Sequence, residues 1–522
     1  MIREISRRKC LRLWLCKPEY MGRTKWENRF VLLRFWKKNY MMFLKDLKRF
    51  KMERLYDKLK AYSESDFYAF HMPGHKRNKT LLGIELPYDL DITEIDGFDD
   101  LHHADGILKE EQERAARVFG AEESHFLVNG STAGILSAVM GCTHRGDKIL
   151  VARHCHKSIY HAIYMNGLVP RYVYPEFDIS MHMNGEISKE DVAKALAAEP
   201  DIKAVVIVSP NYDGVVSDVK GIAEVAHSYR IPLIVDEAHG PHFGFHPAFP
   251  GRANDLGADV VINSLHKTLP SLTQTAILHI NGKLANRRRI KKYLDMLQSS
   301  SPSYIFMASL DACVDFLDGK CEEAFELYVE RLQKFREELK PLQHLQILRI
   351  EHYDISKVVI STANANITSP ELADRLRKEY HLEMEMTGGT YVLAMTTVAD
   401  TQEGLDRLKS ALLEIDDQLE AKTAVSGSIE ISGELPRLEQ YFTPQEAADR
   451  EEDGEAEEIP WKESEGHISL EYAYLYPPGS PVIVPGERIS REAVELLCYY
   501  ETQNLQIEGI QTEGKIKVWK HE

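Results

Sequence analysis

The chain has 522 residues, a formal net charge of -17 and seven cysteines. That length is beyond a single small module and supports two or three hydrophobic cores, while the negative charge argues against nonspecific attraction to nucleic acid or to an anionic membrane surface. Cys10, Cys16, Cys142, Cys155, Cys313, Cys321 and Cys498 are scattered and form no Cys-x-x-Cys, which argues against a disulfide framework or a thiolate zinc site and fits a reducing cytoplasm.

Residues 1–51 carry 16 Lys and Arg against four Asp and Glu, together with Trp14, Trp26 and Trp36. A basic arm with interleaved aromatics is one way to meet RNA or a membrane. The rest of the chain is more acidic than the total, however, and we expect this extension to lie outside the fold, with Met52 opening a sufficient chain. Charges interrupt the first apolar patch, at 11–15, so it is not a secretory signal, and no run reaches the ~20 apolar residues of a membrane-spanning helix.

Residues 52–300 are expected to hold an N-terminal segment and a major domain. From Lys148 onward β-rich runs alternate with helical stretches, the pattern of a parallel sheet covered by helices. The runs are Lys148-Ile-Leu-Val-Ala, Lys203-Ala-Val-Val-Ile-Val, Pro232-Leu-Ile-Val-Asp, Ala258-Asp-Val-Val-Ile-Asn and Thr275-Ala-Ile-Leu-His-Ile, and residues 191–198 and 219–229 between them have apolar positions at helical spacing. The fold class is therefore α/β with a mainly parallel central sheet. Residues 301–426 read as a helical connection and a small α/β domain, 427–465 as an acidic linker rich in Glu, Gly and Ser, and 466–522 as a small α+β C-terminal module.

In an open α/β sheet ligands bind beyond the carboxyl ends of the strands, and three such places stand out. Val128-Asn-Gly-Ser-Thr-Ala-Gly134 precedes an apolar helical stretch. There Ser131 and Thr132 offer hydroxyls and free backbone N–H groups suited to a phosphate, although Ser-Thr is also an ordinary helix cap. Asp236 ends one apolar run and opens Asp236-Glu-Ala-His-Gly240, where a carboxylate can hold a protonated heterocyclic nitrogen or simply cap the next helix. Lys267, in Ser264-Leu-His-Lys267, follows Val260-Val-Ile-Asn; in apolar surroundings its amine loses a proton more easily and can form a Schiff base.

These residues belong to a wider set: His71-Met-Pro-Gly-His-Lys-Arg77, Asp99-Asp-Leu-His-His103, His154-Cys-His-Lys-Ser158, Ser300-Ser-Pro-Ser303 and Tyr476-Pro-Pro-Gly-Ser-Pro-Val-Ile-Val-Pro-Gly-Glu487. Together they resemble the Orn/Lys/Arg decarboxylases, pyridoxal phosphate (PLP) enzymes of the aspartate aminotransferase (type I) fold. The resemblance implies that Lys267 carries the cofactor, that Asp236 pairs with its ring nitrogen and that His239 borders it. It further implies that Ser131, Thr132 and Ser264 hold the phosphate, that His156 stacks on the ring and that His266 sits beside the lysine. The implied reaction converts a basic amino acid to its amine and carbon dioxide, feeding polyamine synthesis, with arginine first, lysine second and ornithine third by similarity to the shorter bacterial members.

A homodimer with active sites between subunits is also implied, Ser300 and its neighbours being offered to the partner's phosphate. The largest members' N-terminal wing is not matched in these 522 residues, which puts the higher assembly attributed to it in doubt and leaves a homodimer or a larger homo-oligomer as the expectation. A basic substrate needs a carboxylate for its distal cation, because an unpaired charge in a partly desolvated pocket is costly; Glu487, Asp96, Asp99 and Asp100 are the candidates. Two rival functions remain. An aminotransferase or aldolase could use the same lysine and aspartate, and a metal-dependent hydrolase could use His239, His242 and His246 with Asp236, although Gly240, Pro241 and Gly244 interrupt the helix that would align them. No metal, nucleic acid or membrane partner is expected.

Overall fold

The computed structural model describes residues 53–178, 183–349, 352–421, 434–475, 479–502 and 505–520. The extension at 1–51, part of the expected linker and Tyr476 to Pro478 of the terminal motif lie outside the described residues. Among the described residues no helix is long and apolar enough to cross a membrane.

The central sheet has seven strands: β1 (Glu123–Leu127), β2 (Lys148–Ala152), β3 (Val169–Val173), β4 (Val205–Val208), β5 (Leu233–Asp236), β6 (Val260–Asn263) and β7 (Ala276–Ile280), in the order β1-β7-β6-β5-β4-β2-β3. Strands β2 to β6 pair in parallel, whereas β7 runs antiparallel to both β6 and β1. Strands β4, β5 and β6 are buried at every position, as continuous β-branched runs should be when helices cover both faces. The Thr275 run thus forms a strand as expected but in the opposite direction, which apolar periodicity does not encode. Strand β3 carries Pro170, which the sheet accommodates because, among the described residues, β3 is an edge strand paired only to β2.

The helices of this domain are α1 (Leu55–Ser63), α2 (Ile107–Val118), α3 (Gly130–Cys142), α4 (Lys157–Met165), α5 (Lys189–Ala198), α6 (Val219–Ser228), α7 (Leu265–Thr268) and α8 (Arg287–Leu297), followed by α9 (Tyr304–Leu317) and α10 (Glu322–Glu338). Because β1 and the parallel strands end at one edge, the turns after β1, β2, β4, β5 and β6 gather there.

The small domain is an antiparallel sheet, β8 (Gln346–Ile347), β9 (Lys357–Ser361), β10 (Met386–Thr387) and β11 (Tyr391–Met395), in the order β8-β9-β11-β10. It is covered by α11 (Ser369–Tyr380), which a Thr368–Glu371 capping box opens, and by α12 (Gln402–Asp416). Strand alternation separates two cores. Val358 and Ile360 pack with Leu372, Leu376, Leu408 and Leu412, while Val359 packs with Val215, Tyr353 and Tyr391 of the opposite cluster.

The C-terminal domain corrects one expected boundary. Residues 434–465 are not a linker: β12 (Glu439–Gln440) pairs with β16 (Glu487–Arg488), and β13 (Ala456–Pro460) pairs along its length with β18 (Lys515–Trp519). Between them lies α13 (Pro444–Glu452), opened by a Thr443–Glu446 capping box. The acidity that suggested a linker belongs to the outer face. Helix α13 buries only Pro444 and Ala447, and Glu457 and Glu458 of β13 are exposed. Strands β14 (Ala473–Leu475), β15 (Pro481–Ile483) and β17 (Ile507–Glu508) form a second small sheet, backed by α14 (Arg491–Thr502).

Candidate active site

Lys267 lies on α7, the single turn that follows the fully buried β6, and its Nζ is 2.8 Å from His239 Nε2. His239 comes three residues after β5. Its ring lies 4.6 Å from that of Tyr212, whose face is 6.0 Å from the lysine amine. Burial lowers the Lys267 pKa, against the opposing pull of Asp236 and Glu385. Burial, followed by the charge of Lys267, holds His239 far below its ordinary value. A neutral ring that accepts through Nε2 carries its hydrogen on Nδ1, and that buried Nδ1 has no hydrogen-bond partner among the described residues.

Asp236 ends β5 and is 3% exposed; one oxygen accepts from the Ala238 N–H at 3.1 Å. Burial raises its pKa and nearby Lys267 opposes the rise, so a cation placed against this carboxylate relieves an existing electrostatic cost. His156 caps α4: its Nδ1 accepts from the Ser158 N–H at 3.2 Å, which leaves the ring hydrogen on Nε2. Burial and then Lys267 push its pKa down to about 4. His266 has the other tautomer, with Nδ1 donating to the Thr275 carbonyl at 2.9 Å and Nε2 left with its lone pair; burial lowers its pKa as well.

At the β1 end, Gly130 sits at φ +73°, in the left-handed region that favours glycine, and its N–H donates to the Gln274 carbonyl at 3.0 Å. Asn129 provides no side-chain cap for α3 and instead accepts from the Ser299 N–H. The first N–H groups of α3, with Ser131 and the exposed Thr132, are left without that cap. Ser264 Oγ is buried and without a hydrogen-bond partner among the described residues. An uncapped helix start, two orphaned buried polar atoms, a buried acid and a pKa-depressed lysine fit a cofactor with a carbonyl, a protonatable ring nitrogen and a phosphate, as PLP has.

The expected substrate carboxylates are placed differently. Glu487 is 1% exposed; its Oε2 receives Arg153 Nη2 at 3.0 Å and the Val484 N–H at 2.8 Å. Its charge is spent inside the protein, where removal of one partner from a buried pair costs roughly 3–5 kcal/mol. Asp99 accepts from the N–H groups of Asp105, Gly106 and Leu108 and so organises the start of α2. Asp100 accepts from the His102 N–H and from His103, Asp96 is exposed, and Ser300 is exposed. The histidines of the hydrolase reading diverge: His239 meets Lys267, His242 bridges Thr268 and Asp354, and His246 meets Glu326.

The Orn/Lys/Arg decarboxylase major-domain model matches residues 53–363, and the C-terminal-domain model of the same decarboxylases matches 433–514. The chain belongs to the Orn/Lys/Arg decarboxylase family. It is 34% identical to the arginine decarboxylase of Bacillus subtilis over 87% of this chain and 95% of that one. It is 32% identical to the arginine decarboxylase of Bacillus anthracis over 89% of this chain and 97% of that one. Identity to a lysine decarboxylase of Pseudomonas aeruginosa is 25%, over 83% of this chain and 73% of the relative. The solved constitutive lysine decarboxylase of E. coli has the same fold, with a TM-score of 0.77 at 21% identity, covering 96% of this chain and 85% of that one.

Within this decarboxylase two groups of residues around the candidate site escaped sequence reasoning. Glu385, from the strand-β10 approach, is exposed and accepts from the Tyr212 hydroxyl; its flanking Met384 and Met386 were the available signal. Beneath the site, Asp354 accepts from His242 at 3.0 Å, His242 meets Thr268 at 2.9 Å, and Thr268 is the residue after Lys267. Lys357 lies fully buried 3.9 Å from Asp354, with its pKa pushed down to about 8 by burial. A lysine heading the apolar run Lys357-Val-Val-Ile-Ser is the mark by which a reader could have found it. Gly214, at φ +108°, makes room for it, since a Cβ there would meet Lys357 Cγ at 2.7 Å.

Proposed function

We propose that this chain decarboxylates arginine, in the cytoplasm, with PLP held on Lys267, and that two copies form the working unit. The observation that carries the reading is the meeting of Lys267, His239, Asp236 and His156 from three strand ends at one sheet edge. Ser131, Thr132 and Ser264 would hold the phosphate, with Ser300 of the second copy, and Asp236 the ring nitrogen; His156 would stack on the ring. When bound, the cofactor supplies the electron sink that receives the electrons of the breaking Cα–carboxylate bond.

The chain's own residues do the rest. Burial favours the neutral amine of Lys267, and His239 Nε2 accepts one of its N–H groups, fixing the direction of the lone pair that must attack a carbonyl carbon. The Tyr212 ring packs 4.6 Å from that of His239 and limits the positions the imidazole can take. Once the amine is released it can return a proton to Cα, and His266 Nε2, held to that tautomer by Thr275, is the second group able to move one. The uncovered edge is bordered by Glu385, which Tyr212 holds and whose charge reaches Lys267. A guanidinium can donate two parallel hydrogen bonds to such a carboxylate.

The N-terminal part of the matched major domain supports the dimer. Phe67, Tyr68, Phe70, Met72, Leu81 and Leu82 are between 64% and 88% exposed, large apolar side chains that a second copy would take out of water.

Incubation of the holoenzyme with arginine, lysine and ornithine, with identification of the amine, tests the proposal; arginine is expected to give carbon dioxide and its amine fastest. Carbon dioxide from none of the three would refute it. Glu385→Gln is expected to raise KM for arginine by ~10–100-fold with a much smaller change in kcat, the range of a hydrogen bond to a charged group. Unchanged kinetics would remove Glu385 from substrate binding. A chain beginning at Met52 is expected to keep full activity, and loss of turnover on that truncation would assign residues 1–51 to the enzyme.

A further inference from the structure

The C-terminal domain reaches the major domain beside His156. Arg153, fully buried just after β2, donates through Nη1 to the Pro481 carbonyl at 2.6 Å and the Tyr160 hydroxyl at 3.1 Å. Through Nη2 it donates to the Val482 carbonyl and to Glu487 Oε2, both at 3.0 Å. The Ser480 hydroxyl donates to the His154 carbonyl at 2.7 Å, and the Lys157 N–H donates to the Gly479 carbonyl at 3.1 Å. Tyr160, from the first turns of α4, closes the loop by donating to the Arg153 carbonyl at 2.5 Å.

Residues on both sides of His156 are therefore tied to one stretch, 479–487. The imidazole itself makes no contact with that stretch among those above; it is anchored to Ser158. We propose that Arg153, Glu487 and Ser480 are positioning residues through which the C-terminal domain fixes the 153–158 turn and so holds the His156 ring towards Lys267. This rests on the function proposed above for its catalytic meaning, but not for its geometry.

A domain that merely packed against the sheet would need no charged group at full burial. Here a guanidinium is desolvated to collect two backbone carbonyls and a carboxylate from the other domain, an arrangement whose strict geometry transmits a small displacement. Misplacement of a group facing the reacting atoms by about 1 Å can cost ~10²-fold in rate. Positioning, unlike substrate binding, should appear in kcat.

The test uses Ser480→Ala, which removes one hydrogen bond, and the charge-free double variant Arg153→Met/Glu487→Met, which avoids leaving a single buried charge. Acylation of His156 by diethyl pyrocarbonate is followed by peptide mass spectrometry on the full chain without added cofactor. The reagent attacks the ring nitrogen that bears no hydrogen, which in His156 is the Nδ1 held by Ser158. Both variants are expected to acylate His156 at least ~10-fold faster, and their holoenzymes to lose ~10-fold or more in kcat with KM nearly unchanged. Arg450→Ala, which breaks a pair with Glu455 elsewhere in the C-terminal domain, should lower melting temperature without altering His156 labelling. Parent-like labelling and kcat in Ser480→Ala and the double variant overturn the proposal, as does equal acceleration in Arg450→Ala. The labelling result stands even if the enzyme proves to act on another substrate class.

Discussion

Lys267→Ala is expected to lower turnover by ~10⁴-fold or more, because one substitution removes both the covalent anchor and a group that can return the proton. The parent chain, mixed with PLP and reduced with borohydride, should gain a fixed mass on the peptide containing Lys267; the variant should gain none. Small primary amines should restore part of the lost turnover, since they supply the missing amine without its tether. Covalent trapping at another lysine, with Lys357 the nearest buried alternative, would show that the anchor has been misassigned. The substitution also leaves His239 Nε2 without its present partner, so the loss should exceed what a vacant space alone would cause.

The proposed anchor was legible in the sequence for a simple reason. Strands β4, β5 and β6 are covered on both faces, so their apolar runs are unbroken, and the first polar residues after them mark the ligand edge. Asp236 is the last residue of β5, and Lys267 follows the end of β6 by four residues. Direction and edge position were harder to read. Strand β7 has the composition of its neighbours but the opposite sense, and Pro170 concealed β3 because a proline is tolerated only where one side of a strand is unpaired.

Groups that depend on distant partners were misread or missed. Glu487 was read as a carboxylate for the substrate's distal cation, but its partner Arg153 is 334 residues away in sequence, and burial makes it an interdomain tie. The acidic stretch around α13 looked like a linker because only its exposed face carries the charge. Glu385 borders the site only because the small domain folds back towards the turn carrying Tyr212, a placement that no local pattern announces.

Asp236→Asn separates electrostatics from anchoring. Asn has nearly the same shape, so Ala238 keeps an acceptor and cofactor attachment at Lys267 should persist. What is lost is the negative charge facing a protonated ring nitrogen, and removing one preorganised electrostatic partner of this kind costs ~10²–10³-fold in kcat. The unliganded protein provides an independent check. Burial raises the folded-state pKa of Asp236 above its unfolded value, so the folded chain holds this proton more tightly, and stability falls as pH rises from the ordinary carboxylate range through the raised value. At pH 7 the parent bears that cost and the amide does not. The variant should therefore melt at an equal or higher temperature at pH 7, with its advantage shrinking on acidification towards pH 4. The same change withdraws the charge that supports the ammonium form of Lys267, so covalent attachment of PLP should extend to lower pH in the variant. Near-normal kcat at full cofactor occupancy would eliminate Asp236 as the ring-nitrogen partner, and attachment that moved to higher pH would show that Asp236 does not act on Lys267 through its charge.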